Sequence, residues 1–218
     1  MKTGIETACE YSEPGKITIS DDPEVAARAE SITRGMTSDA ERARALFYWV
    51  RDMITYNPYS PFSLPEDYRP LTIMKRGAGY CVQKSTLLAA MVRSQGIPAR
   101  LVFADIINHR LSDKLREQMG SNIFSYHGYV EMFINGGWIS AAPIFEKVLC
   151  DKLDIFPVEF DGHSNALLHR LDKQGRVNIE YIKYHGVYDD IPLDEIMKAW
   201  EKVYCMEKLE AMAKDSLF

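Results

Sequence analysis

The chain has 218 residues, 46% of them hydrophobic, which is enough apolar mass to bury a sizeable core without a disulfide or cofactor to hold it together. Acidic residues outnumber basic ones, 31 to 26, and the net charge of -5 argues against the clustered Lys and Arg of a nucleic-acid-binding surface. No apolar run approaches the roughly 20 residues of a membrane span, and the N-terminus lacks the basic-then-apolar layout of a signal peptide, so a cytoplasmic protein with no membrane association is expected.

Four cysteines, Cys9, Cys81, Cys150 and Cys205, are spread widely with no CxxC pair. That spacing speaks against a thiolate zinc site and for free thiols. Three of the four read as small buried apolar residues. Cys81 does not.

In chain order, Lys16 to Ile19 form a short alternating stretch. A helical pattern opens at Pro23, runs through Val25, Ala29 and Ile32, and stops at Gly35. Ser38 and Asp39 are N-cap candidates for a second helix with Ala43, Leu46, Phe47, Val50 and Ile54 on one face. Four prolines between Asn57 and Pro70 predict an irregular surface loop. Gly77-Ala78-Gly79-Tyr80-Cys81 then leads into a helical stripe of Leu87, Leu88, Met91 and Val92, ended by Gly96 and Pro98.

Strands are expected at Arg100–Asp105, Tyr126–Ile134 and Trp138–Pro143. A helical excursion, 112–120, separates the first two, and Asn135-Gly136-Gly137 makes a hairpin turn before the third. A further strand follows the turn at Lys173-Gln174-Gly175. A last helix from Leu193 carries Ile196, Met197, Trp200, Val203 and Tyr204, a stripe that reads as core packing. A helix followed by an antiparallel meander makes the fold α+β, in a single domain over 1–218 with its core at about 38–145.

Cys81 sits at the first turn of its helix behind two glycines. Free backbone N–H groups and the positive end of the helix dipole favour thiolate there, and the same groups can hold an oxyanion beside the sulfur. Cys81 is therefore expected to be the most reactive thiol, with Gly79 and Tyr80 as candidate oxyanion and cleft residues. Position alone leaves an ordinary buried cysteine equally open. A partner is needed to protonate a leaving amine, and imidazole suits that near neutral pH. His127, in the strand Tyr126-His127-Gly128-Tyr129-Val130-Glu131, is the candidate. His109, His163, His169 and His185 read as solvated surface residues.

The run from Gly79-Tyr80-Cys81 through Leu87-Leu88-Ala89-Ala90 to Arg93-Ser94-Gln95-Gly96-Ile97-Pro98-Ala99-Arg100, then His127-Gly128-Tyr129-Val130-Glu131 and Gly136-Gly137-Trp138, resembles the core of the transglutaminase-like superfamily. The resemblance covers about Gly77 to Pro143. It implies a papain-like transglutaminase-core fold, with a cysteine-headed helix packed on an antiparallel sheet. It also implies Cys81 as nucleophile and His127 as general acid and base, in an enzyme that works through an acyl-enzyme.

The family carries an aspartate just before the proline that follows the hairpin tryptophan. Here that position holds Ala142, in Trp138-Ile139-Ser140-Ala141-Ala142-Pro143. Asp161 is the first candidate to replace it as the residue that orients His127, and Glu146 the second. The expected function is a cysteine-dependent amide-bond hydrolase or transamidase acting on a peptide or amide substrate, as are found among transamidases and bacterial cysteine proteases of the superfamily. The alternative is a catalytically silent module that binds a peptide. A thiol redox protein is disfavoured because no resolving cysteine lies near Cys81. With no ordered acidic loop of the calcium-binding kind, no metal and no cofactor are expected. Oligomeric state cannot be read from the chain.

Overall fold

A computed structural model describes residue 8 and residues 10–215; Cys9 lies outside the described residues. Helix α1 (Pro23–Thr33) is capped by the Asp22 carboxylate, which accepts from the N–H groups of Glu24 and Val25. Helix α2 (Asp39–Met53) begins at a capping box between Ser38 and Glu41. Strand β1 (Thr55–Tyr56) pairs in parallel with β2 (Ala78–Gly79), and α3 (Pro70–Arg76) lies between them. The central helix α4 (Cys81–Ser94) follows, and then strand β3 (Ala99–Asn108), helix α5 (Asp113–Met119), and strands β4 (Ile123–Ile134) and β5 (Gly137–Ala141). Helix α6 (Lys147–Leu153), strand β6 (Ile179–Tyr188) and helices α7 (Leu193–Val203) and α8 (Met206–Asp215) complete the chain.

Four antiparallel strands form the main sheet in the order β5-β4-β3-β6. The turn between β4 and β5 is the expected one, with Asn135 at φ +52° and Gly136 at φ +85°. The proline-rich segment is irregular apart from a short 3-10 turn at Pro65–Tyr68. Helices α3, α6 and α8 were not expected, and the last expected helix ends at Val203, before Tyr204. Lys16–Ile19 form no strand. The Asp190 carboxylate accepts from the N–H groups of Ile17 and Thr18 instead.

Helices α1, α2 and α3 surround α4, whose residues from Cys81 to Arg93 are all buried. Leu87, Leu88 and Met91 join Val25 and Ala29 of α1 and Leu46, Phe47 and Val50 of α2 in one apolar cluster. That cluster continues into Leu101 and Phe103 of β3 and Val130 and Met132 of β4. Helix α4 packs tightly on β4 at Gly128. A Cβ there would lie 3.1 Å from Val82 Cα and 3.2 Å from the Phe103 ring, and the Ser85 hydroxyl donates to the Gly128 carbonyl at 2.9 Å.

Neither Val82 Cα nor the fully buried Phe103 can yield cheaply, so Gly128→Ala should push the head of α4 off the sheet. A loss of about 1–3 kcal/mol in denaturant unfolding is expected. Unchanged stability would show the approach to be less tight than this geometry requires.

Candidate active site

Cys81 is the first residue of α4, and its side chain is 7% exposed. Burial pushes its thiol up to about 11, although the backbone N–H groups of Gly128, Val82 and Cys81 itself are directed at the sulfur and favour the thiolate. The placement expected from sequence is present, but the thiol is shifted the other way, because desolvation outweighs these backbone hydrogen bonds. Cys205, expected to be buried, is exposed between α7 and α8. Cys150 is buried, with its thiol directed at the Phe145 carbonyl.

The sulfur lies on the wall of an apolar cavity of about 590 Å³ including its mouth. Pro58, Tyr59 and Phe62 of the proline-rich segment form one side of it, and Trp200, Tyr204 and Leu209 of the C-terminal helices form another. Both sides are fixed by hydrogen bonds. Gln83 Nε2 donates to the carbonyls of Pro61 (2.7 Å) and Asp67 (3.0 Å). Trp200 Nε1 donates to the Ser125 carbonyl at 2.9 Å, and the Tyr204 hydroxyl accepts from the Ser125 N–H and donates to the Ile123 carbonyl. Tyr80 lines the cavity, its hydroxyl donating to that of Tyr68. Gly79 does not line it; a Cβ there would press on Gln83 at 3.1 Å.

His127 pairs with Ala104 in the sheet, immediately before the Gly128 amide that reaches the Cys81 sulfur. Its ring is buried, edge-on to Tyr181 with centroids 5.9 Å apart, and burial pushes its pKa down to about 3. Nε2 is buried and has no hydrogen-bond partner among the described residues. Among the described residues no hydrogen bond joins the thiol to the ring; what reaches the sulfur is the N–H of Gly128, the residue after His127.

The acid expected behind His127 is not supplied by either candidate. Asp161 is exposed in a local turn, where one carboxylate oxygen accepts from the N–H groups of His163 and Ser164, both at 2.7 Å. It borders a separate cavity with Arg44 and Tyr48, and Gly162 beside it is packed on Ala40 of α2. The local bonds hold its pKa below the usual carboxylate range. Glu146 accepts from the Tyr56 N–H at 2.9 Å. Ala142 is fully buried, with its N–H donating to the Ala166 carbonyl.

Sequence reasoning missed Asp105 and misplaced His185. A bulge in β3 around Asp105 lets one carboxylate oxygen accept from the Ser125 hydroxyl (2.9 Å), the Tyr126 N–H (3.0 Å) and His185 Nε2 (2.7 Å). Tyr126 is held at φ +54° and its ring stacks on His185 with centroids 3.9 Å apart. This cluster fixes the backbone immediately before His127. The residues are about 80 positions apart in sequence, and no local pattern marks the pair. Among the described residues no group of three or more His, Cys, Asp or Glu side chains is arranged to hold a metal ion, and no helix is long and apolar enough to cross a membrane.

Cys205, being exposed, should alkylate before Cys81 when native protein meets limiting iodoacetamide at pH 7, and Cys81 labelling should still be rising above pH 9. Site-resolved mass spectrometry checks this, and a Cys81 midpoint below pH 8 would mean that the helix N-terminus outweighs burial. His127 carries a folded pKa below its unfolded value, so the unfolded chain gains a proton there first. The stability contributed by the neutral ring is present above pH 6.5 and is lost as pH falls toward 3. His127→Gln should therefore lose less stability than the parent between pH 6.5 and pH 4. Equal losses in parallel denaturant titrations would show that the ring protonates freely within the fold.

The family model described as the transglutaminase-like superfamily matches residues 26–143. No curated protein matches the chain. Among solved structures, a candidate cysteine protease from Cytophaga hutchinsonii is 15% identical, with a TM-score of 0.48, over 84% of this chain and 54% of that one. This chain therefore spans about half the length of that protein. The periplasmic domain of TgpA from Pseudomonas aeruginosa is 19% identical, with a TM-score of 0.46, over 64% of this chain and 47% of that one. Red sea bream transglutaminase is 17% identical, with a TM-score of 0.36, over 63% of this chain and 26% of that one. The family match supports a cysteine-enzyme reading at the level of the family. Because it spans more than half of the sequence, the chain belongs to the transglutaminase-like superfamily.

Proposed function

We propose that the chain is a cysteine-dependent amide hydrolase or transamidase, with Cys81 as nucleophile and His127 as the group that moves the proton. One observation carries this reading: a thiol at a helix N-terminus, on the wall of a cavity, with the N–H groups of Cys81, Val82 and Gly128 gathered around the sulfur. A carbonyl oxygen brought beside that sulfur becomes negative as the carbon is attacked, and N–H groups at the helix start favour that charge.

The resting pair is a neutral thiol and a neutral imidazole. An acid near 11 does not hand its proton to a base near 3 in advance, so transfer is coupled to formation of the carbon–sulfur bond. The proton taken by His127 then leaves with the amine as the carbon–nitrogen bond breaks. Water or a second amine resolves the thioester, returning the proton to sulfur. Approach of the ring to the thiol accompanies substrate binding, in keeping with the looser geometry of unliganded sites. Tyr80 walls the cleft, and Gly79 allows the close packing that positions Gln83.

A second reading, a silent member that binds a peptide or amide without cleaving it, draws on the partnerless Nε2 of His127 and on Ala142. Intact-mass detection of a thioester after mixing with an activated acyl donor separates the two. In the enzyme reading the adduct forms on the parent, is absent from Cys81→Ala, and forms roughly 100-fold or more slowly on His127→Ala. Ala142→Asp, which returns a carboxylate to the family's position, should speed acylation. No thioester on the parent under any of these conditions, with retained amide binding, establishes the silent reading.

A further inference from the structure

The cavity beside Cys81 is closed to charge. Its lining holds no Lys, Arg, His, Asp, Glu, Asn or Gln. Apart from the Tyr56 hydroxyl, which makes no hydrogen bond among the described residues, its hydroxyls are engaged: that of Ser125 donates to Asp105, that of Tyr59 to Gln118, that of Tyr80 to Tyr68, and that of Tyr204 bridges the Ser125 N–H and the Ile123 carbonyl. These tyrosines therefore present ring surface to the cavity. A charged side chain entering it would lose its hydration and find no partner.

The rings are also arranged as aromatic pairs prefer. Trp200 meets Phe62 at 5.5 Å and 65°, Tyr80 at 5.8 Å and 53°, and Tyr204 at 5.8 Å and 67°. Edges and faces alternate, the geometry that favours one more ring. The walls of the cavity are pinned by the Gln83, Trp200 and Tyr204 hydrogen bonds, so little ordering is left for binding to impose. Charged partners gather elsewhere. Lys183, Lys198, Lys202 and Glu195 border a neighbouring cavity that shares Ser125 with this one and does not contain the thiol.

We propose that this cavity selects the acyl donor, taking an uncharged aromatic side chain next to the carbonyl that Cys81 attacks and rejecting charged ones. The inference rests on the acyl-enzyme reading above for its chemistry: the carbon–sulfur bond forms, the bond to the leaving group breaks, and the thiol proton departs with that group. The selection itself depends only on the cavity.

The test uses N-acetyl amino-acid thiomethyl esters carrying phenylalanine, lysine or aspartate side chains, with the Cys81 thioester followed by intact mass. The phenylalanine donor should acylate at least about 100-fold faster than either charged donor. Leu115→Lys, which places a cation on the α5 side of the cavity, should shrink the phenylalanine-to-aspartate ratio at least about tenfold. In parallel, Cys81→Ala, with its fold checked by circular dichroism, is titrated with the corresponding N-acetyl amino-acid amides by tryptophan fluorescence. Equal or reversed preference among the donors, or among the amides, overturns the proposal. Should no ester acylate the parent while Cys81→Ala still prefers the phenylalanine amide, the acyl-enzyme reading fails and the cavity assignment stands. Absence of both acylation and selective binding removes both.

Discussion

A helix buried on every side must find partners inside the protein for all of its polar side chains, and α4 is such a helix. Gln83 bonds to the Pro61 and Asp67 carbonyls, Lys84 to those of Arg51 (2.9 Å) and Ile54 (2.5 Å), and Ser85 to Gly128. Arg93, at the far end, bonds to Ala99 and Asp189. Each of these bonds fixes a different segment to one rod: the proline-rich loop, the end of α2, the centre of β4 and the turn after β6. The sulfur at the head of the rod is thus placed by the same contacts that place its surroundings. Burial also draws the Lys84 ammonium down to about 7, so this anchor is held at a cost in charge solvation.

The same burial sets the protonation states of the site. A helix N-terminus favours a thiolate by about 0.3–1 kcal/mol at an ordinary site, up to about 2 in a partly buried one. Withdrawing an anion from water costs more than that unless it is paired. Among the described residues no cation pairs with Cys81, and the three N–H groups around it do not make up the difference. His127 suffers the converse, its protonated form penalised with no acid to offset it. Both shifts favour the neutral forms, and the cavity beside the thiol is apolar.

The parts of this arrangement that depend on short stretches were legible in the sequence. The Ser38 cap, the Asn135-Gly136 turn, the Gly96-Pro98 stop and the head of α4 each follow from a few neighbouring residues. Asp161 was open to the same kind of reading. Its Oδ1 accepts from backbone N–H groups two and three positions on, the usual use of an Asp before Gly in a turn, and that competes with any distant role. What was not legible depends on long-range register. The bulge at Asp105 changes which residues face which, and it comes from pairing β3 with both β4 and β6. His185 looked solvated because the residues flanking it in β6 carry no clear alternation. Helix α3 opens with a proline after a proline-rich run, which masked a helix of seven residues. The break at Tyr204 follows from its hydroxyl bridging the start of β4, a contact 79 to 81 positions away.

Position and orientation of the histidine are separate requirements, and this chain meets them unequally. Asp105 accepts from the Tyr126 N–H and the His185 ring, holding a residue at positive φ that an unconstrained tyrosine avoids. With Gly128 wedged against Val82 on the other side, the His127 backbone is fixed from both neighbours. Orientation of the ring is a different matter. In the family an acid behind the ring selects its tautomer and steadies its charged form; here the matching sequence position is a buried alanine, Ala142, and Nε2 has no partner among the described residues. A carboxylate that fixes backbone does not replace one that fixes a proton. The backbone cluster therefore accounts for where the imidazole sits, while Nε2 of the ring finds no acceptor among the described residues.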